Sequence, residues 1–229
     1  MNGSWRIGKT FRFEATREVA GRLDGRTFTA EVVLASRELT DPGFVVDFGE
    51  LAPVKEHIDA WLDHRLLNEV VADAGDDGLA RYLETWAREH LTAEAASALL
   101  HVRVSSGRPV PVPAHLAVTF DASHRLDGLP SWHRCARLHG HSYQVVLPVQ
   151  GTAWPAPVEV PSFLADYITD MFDGRLLNEV VGNPTCEHLA EHLAHQVYEQ
   201  GFTGPDGLPV GVRVSETEST WGEYLWRPE

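Results

Sequence analysis

The stretch LDHRLLNEVV, Leu62–Val71, returns as FDGRLLNEVV, Phe172–Val181, at an offset of 110 residues. HVRVSSGR (His101–Arg108) pairs with GVRVSETE (Gly211–Glu218) at the same offset, and FRFEATREV (Phe11–Val19) pairs with VTFDASHRL (Val118–Leu126) at an offset of 107. Matches in the same order mark the duplication of a unit of about 110 residues, too long for a solenoid repeat and right for a small domain. The predicted domains are residues 1–108 and 115–229. The connector falls in SGRPVPVPA (Ser106–Ala114), where alternating prolines favour extended backbone.

Each copy reads as the same order of elements. In the first, Thr10–Ala15 and Thr27–Ser36 alternate apolar and polar residues like half-buried strands. Pro53–Leu62 is predicted helical, with Val54, His57, Ile58 and Trp61 on one stripe, and Leu79–Leu91 follows with Leu79, Tyr82, Leu83 and Trp86 inward. Leu99–Ser105 reads as a closing strand. The second copy has strands at Leu116–Ser123 and His141–Gln150, helices at Pro161–Phe172 and Thr185–Tyr198, and strands at Val210–Glu216 and Gly222–Trp226. The expected fold is α+β: two ββααββ units, each an antiparallel sheet with helices on one face.

Composition narrows the function. The chain has 229 residues, is 43% hydrophobic and carries a formal net charge of -14, which argues against a nucleic-acid surface. No apolar run approaches the ~20 residues of a membrane span, and the first residues lack the apolar segment of a signal peptide, so a cytoplasmic protein is expected. Cys135 and Cys186 are too few for a disulfide framework; each is a reactive thiol or a small buried residue.

HRCARLHGHS (His133–Ser142) carries the densest chemistry. If a strand runs through His141, His139 and His141 project from the same face and present two imidazoles to one metal. His124, ending the preceding strand, is the candidate third ligand. Three histidines with an open fourth position describe a catalytic zinc site; the plain alternative is imidazoles that stabilise a turn. Cys135 reads as a fourth ligand, a buried filler, or a thiolate favoured by Arg134 and Arg137 that acts as nucleophile or base.

FDASHRL…HRCARLHGHSY, with LDHRLLN, NPTCEHLA and VRVSETESTWGEY, resembles the signature of the 6-carboxy-tetrahydropterin synthase and 6-pyruvoyl-tetrahydropterin synthase family. The resemblance implies a tunnelling fold, whose units assemble side by side into a β-barrel homo-oligomer, and a small-molecule pterin substrate, 7,8-dihydroneopterin triphosphate. The C-x-R-L-H-G-H spacing is more similar to the carboxy branch of 7-deazapurine (queuosine-type) biosynthesis. The family resemblance implies zinc on His124, His139 and His141, Cys135 as the catalytic cysteine, Glu216 as the acid that anchors the pterin, and Asp63 with His64 as the catalytic Asp-His pair.

The copies divide these residues. The first has Arg17 where His124 stands, Asp24 and Arg26 where the His-Gly-His stands, and Ser106 for Glu216; the second has Gly174 for His64. The second also lacks the DFGEL of Asp47–Leu51, having VEVPSFLAD (Val158–Asp166) instead. If zinc-bearing and His64-bearing copies alternate around one ring, that ring needs an even number of units. The resemblance therefore implies a zinc-dependent lyase with a degenerate first copy. The alternatives are a 6-pyruvoyl-tetrahydropterin synthase, a diverged enzyme on another pterin or purine-like substrate, and a non-catalytic zinc-containing pterin-binding protein.

Overall fold

The computed structural model describes residues 3–107, 111–150 and 156–226. Strands β1 (Gly3–Val19) and β2 (Arg22–Ser36) turn through Ala20 and Gly21, both at positive φ, as a hairpin turn matched to strand twist requires. Both strands run beyond the stretches of clean alternation. Their ends carry charged pairs such as Arg17 with Asp24 rather than apolar side chains, so pairing continues where the apolar pattern stops. Helices α1 (Ala52–Trp61), α2 (Asp76–His90) and α3 (Ala93–Ala98) follow, then β3 (Leu99–Ser106). The short α3 was not expected; Thr92 starts it by accepting a hydrogen bond from the Ala95 amide.

The helical stripes are narrower than the spacing suggested. Val54, Ile58, Leu79, Leu83 and Ala87 are buried, whereas Trp61 is exposed. His57 stacks on Trp86 at 4.1 Å and Tyr82 bonds His57 at 2.9 Å on the half-buried side of the helices, because Leu62 and Leu67 already fill the core.

The second copy contributes β4 (Val118–His124), β5 (His139–Pro148), a short β6 (Pro157–Val158), α4 (Ser162–Met171), α5 (Cys186–Glu199), β7 (Gly211–Thr217) and β8 (Thr220–Trp226). Among the described residues, this copy alone closes with two strands. After β3 the first runs into the connector, whose residues 108–110 lie outside the described residues; Ala114–Leu116 is a 3-10 turn, and Pro111 and Pro113 offer no N–H to a sheet.

The chain forms two compact units. One is built from Met1–Ile7, Ser36–Val45 and Val112–Glu229, with sheet order β1-β8-β7-β5-β4, and β6 on β5. Its core lies between the sheet and helices α4 and α5: Phe120, Tyr143 and Val145 from the sheet meet Leu164, Ile168, Phe172, Leu189 and Leu193. The other, Gly8–Ala35 with Val46–Pro111, has order β3-β2-β1 and buries Phe13, Phe28 and Val32 with Leu51, Val54, Ile58, Leu79 and Leu83.

The repeated RLLNEV has a definite task in each unit. The Asn68 side chain accepts from the Glu18 amide at 2.6 Å and donates to the Glu18 carbonyl at 3.3 Å. Asn178 does the same at Arg125, at 3.0 and 2.9 Å. Asp63 accepts from the Glu14 amide and Asp173 from the Asp121 amide, at 2.8 and 3.0 Å. The next residue in each copy has positive φ and donates its amide back to the same strand: His64 to Glu14 at 2.6 Å and Gly174 to Asp121 at 2.7 Å.

That position separates the copies. Gly174 adopts φ 67° freely, but His64 holds φ 55° with a Cβ that crowds its own backbone. Thermal unfolding is expected to show His64→Gly stabilised and Gly174→Ala destabilised, each by about 1 kcal/mol. Equal responses of the two sites would show that neither backbone is constrained.

Candidate metal centre and ligand face

β4 and β5 pair antiparallel, with His124 opposite His139 and Ala122 opposite His141. Because alternate residues of a strand share a face, His139 and His141 project together, and the register delivers His124 between them. Their ring nitrogens lie within 4.8 Å of one another, the one such cluster among the described residues.

The proton placement of these rings is set by backbone carbonyls. His124 Nδ1 bonds the Pro184 carbonyl at 2.9 Å, and His139 Nδ1 bonds the Arg137 carbonyl at 2.7 Å. A carbonyl only accepts, so Nδ1 carries a proton in both rings, and in the neutral form of each ring Nε2 is the nitrogen with the lone pair. Those two Nε2 atoms face one another at 3.1 Å. With both rings neutral, two acceptors at that distance repel unless a cation, a proton or a metal ion, lies between them. The separation is close to the ~3.4 Å of imidazole nitrogens sharing a tetrahedral metal at bonds of about 2.0–2.1 Å. Burial, then the neighbouring imidazoles, pushes His124 down to about 4, and His141 is lowered by burial and His139. Neutral rings are the metal-binding form.

The same sheet carries the acid. The β5–β7 ladder ends where Gln144 lies opposite Ser215; Glu216 follows at an irregularity of β7, near enough for its charge to reach Tyr143. Above the sheet stands the first turn of α5, where Gly222 lies so close to Cys186 that any side chain there would collide with it. Thr185 caps α5 by accepting from the His188 amide, and Cys186 is buried in its first turn. The Cys186 thiol also hydrogen-bonds Glu216. Burial of the Glu216 carboxyl pushes its pKa up to about 7, and burial does the same for Glu187 beside it.

Glu187 and its supports were missed in the sequence. Its carboxylate accepts from the Val45 amide at 3.0 Å, the Thr185 hydroxyl donates to the Gly43 carbonyl at 3.0 Å, and the Asn183 amide donates to the Pro42 carbonyl at 2.6 Å. These partners are about 140 positions away in the chain, beyond any local pattern.

Cys135 lies in a 3-10 turn, Arg134–Ala136, half-buried and outside any disulfide. Its carbonyl accepts from the Leu126 amide at 2.8 Å, which folds the loop back onto the end of β4, beside the histidines.

In the other unit the corresponding place is filled by a side chain. Arg17, aligned with His124, donates to the Ala74 carbonyl at 3.3 Å, as His124 does to Pro184. Its guanidinium reaches Asp76 at 2.7 Å, Asp24 at 3.3 Å and Ser106 at 3.1 Å. A fixed cation with its own carboxylates stands where three imidazoles stand in the second copy.

Asp63 and His64 lie in this unit. His64 Nδ1 bonds Asp63 Oδ2 at 2.7 Å, while Asp63 Oδ1 holds the Glu14 amide. That amide, and then the imidazole, keeps the Asp63 carboxyl below its ordinary range. The pair leaves His64 Nε2 outward, with its side chain 78% exposed, beside an open groove of about 730 Å³ lined by Glu14, Arg26, Thr27 and Arg65. The arrangement orients an imidazole for proton transfer.

A family model described as 6-pyruvoyl tetrahydropterin synthase matches residues 6–109 and again 115–226. A protein of Archaeoglobus fulgidus, provisionally named 6-carboxy-5,6,7,8-tetrahydropterin synthase, is 26% identical over 112 residues, covering 47% of this chain and 90% of that protein. The 6-pyruvoyl tetrahydropterin synthase structure of Caenorhabditis elegans aligns at 19% identity over 49% of this chain and 92% of its own, with a TM-score of 0.36. That of Plasmodium vivax, with its catalytic residue mutated, aligns at 11% identity over 95% and 97%, with a TM-score of 0.21.

Two outcomes test the metal centre. Adding zinc to chelated protein at pH 7 is expected to raise the melting temperature, and His139→Ala to abolish that rise. An equal rise in the variant would remove the metal from these ligands. In metal-free protein, the folded state keeps His124 unprotonated where the unfolded chain binds a proton. Its contribution is complete above the ordinary value of 6.5 and is lost as pH falls toward about 4. Acid unfolding curves of His124→Asn should therefore be flatter over that window; identical curves would contradict the depressed value.

Proposed function

Because the chain belongs to the 6-pyruvoyl tetrahydropterin synthase family, we propose that it is a zinc-dependent lyase that converts 7,8-dihydroneopterin triphosphate to 6-carboxy-5,6,7,8-tetrahydropterin. The observation that carries this reading is the cluster of three imidazoles on one sheet face, with the half-buried carboxyl group of Glu216 nearby. The Archaeoglobus relative's name favours the carboxy product.

In this reading His124, His139 and His141 hold the metal, which would supply a Lewis acid that polarises the hydroxyls of the pterin side chain. Glu216 offers its acceptors to the guanidine-like edge of the ring, a bidentate contact that fixes orientation, and Cys186 donates to the same carboxylate. Cys135, as thiolate, removes a proton from the side chain. His64, with its tautomer set by Asp63, moves a proton in the opposite sense. Together they tautomerise the side chain so that triphosphate can leave. Water then adds to the carbonyl next to the ring and the C1′–C2′ bond breaks, the two-carbon fragment taking up a proton to leave as acetaldehyde and the ring carbon keeping the carboxylate. Holding His64 in a left-handed backbone position is a cost that a packing residue would not carry, and the glycine at the same place in the second copy shows what packing alone accepts.

The family's Asp-His pair and its metal ligands survive here in different copies, so one chain supplies one full set of reacting groups. The protein would work as a closed homo-oligomer, with barrel-forming sheets whose end strands, β4 in one unit and β3 in the other, gain partners.

Mass spectrometry of products from zinc-loaded protein and 7,8-dihydroneopterin triphosphate tests the proposal. The expected products are 6-carboxy-tetrahydropterin and acetaldehyde, with Cys135→Ala and His64→Ala each losing at least 100-fold in turnover while retaining zinc. A 6-pyruvoyl product would move the protein to the sister reaction. No consumption of substrate by folded, zinc-bearing protein would overturn the enzymatic reading.

A further inference from the structure

Tyr143 lies at the middle of the ligand face and is fully buried, at 0% exposure. Its ring is fixed on several sides. It stacks on Phe120 at 4.8 Å with an interplanar angle of 7°, and it meets His141 and His124 edge-on at 5.6 and 6.0 Å. Yet its hydroxyl has no hydrogen-bond partner among the described residues.

That is an expensive arrangement for a core residue. A polar group taken from water and left unpaired costs about 1–3 kcal/mol, and a phenylalanine would make the same ring contacts without it. Packing therefore accounts for the ring and leaves the oxygen unexplained.

The position of the oxygen supplies the explanation. Strand alternation puts His139, His141 and Tyr143 on one face, and Glu216 follows Ser215, the last residue of β7 paired with β5. Glu216 and Cys186 are also the neighbours whose electrostatic influence reaches the phenol. The phenol is thus close to both the imidazole cluster and the Glu216 carboxyl group, the two places that the pterin reading assigns to the ends of the ligand. A phenol offers one donor, and the nearby imidazole nitrogens and Glu216 are already committed to the metal and to the ligand's edge.

We propose that Tyr143 is a specificity-determining residue whose hydroxyl donates a hydrogen bond to an acceptor atom of the bound heterocycle, between the edge held by Glu216 and the side chain held at the three imidazoles. The inference rests on the pterin reading above. It predicts that the site prefers a ligand with a ring nitrogen or carbonyl at that point over one that presents C–H there, because the latter leaves the phenol unpaired.

The test is Tyr143→Phe in the full chain, zinc-loaded, with 7,8-dihydroneopterin as the probe. Two quantities are measured: the dissociation constant by calorimetry, and the melting temperature without ligand. The expected result is an unchanged or higher melting temperature together with binding at least 10-fold weaker, about 1.4 kcal/mol. Equal affinity in variant and parent overturns the proposal. So does a clear fall in the ligand-free melting temperature, which would give the hydroxyl a structural partner. If the parent protein itself fails to bind 7,8-dihydroneopterin, the pterin reading fails and this assignment with it, an outcome separate from binding that the substitution leaves untouched.

Discussion

The amide of Asn178 holds the backbone of Arg125 from both sides, accepting from its N–H and donating to its C=O. Arg125 follows His124 directly, so this clamp fixes the end of β4 and with it the ring that faces His139. Asp173 grips the same strand at Asp121, and Asn183 extends the hold to Asp127. Hydrogen bonds to strand ends are modest individually, about 1 kcal/mol each, but here they stop the strand from fraying where the ligand geometry is needed. The Pro184 carbonyl that orients His124 comes from the segment between that clamp and helix α5.

Asn68 and Asp63 make the same grip in the first copy, with a different result at the site. There the strand end carries Arg17, a permanent cation satisfied by Asp24, Asp76 and Ser106. A guanidinium cannot be deprotonated to become a ligand, and its carboxylates neutralise it in place. The second copy presents three imidazoles instead, and imidazole nitrogens can take a cation supplied from outside. The clamp is therefore common to both copies, while the residue it presents decides whether the site is self-contained or open to chemistry.

The duplication and the His-x-His pair were legible because each is local. The repeated RLLNEV was visible as a string, and strand alternation alone put His139 and His141 on one face. The reason for the repeat was not legible: Asp173 is kept for a strand amide whether or not a histidine follows, which only the matched bonds at Glu14 and Asp121 reveal. Tyr143 could have been found, since it stands two residues after His141 and shares its face, but an aromatic in a strand reads as core. Glu187 could not, because its support comes from Val45, 142 positions away. Trp61 was placed inward by helical spacing and is exposed, as the core volume is taken by Leu62 and Leu67.

The central claim is that His124, His139 and His141 of the second copy and the Asp63-His64 pair of the first serve one reaction. A crystal structure of the zinc-loaded protein with bound 7,8-dihydroneopterin tests it most directly. The expected result is metal density on the three imidazoles, the ring edge on Glu216, and a His64 imidazole within hydrogen-bond reach of the ligand's side chain, about 2.6–3.2 Å. A ligand seated on Glu216 with every His64 in the crystal turned to solvent would contradict it.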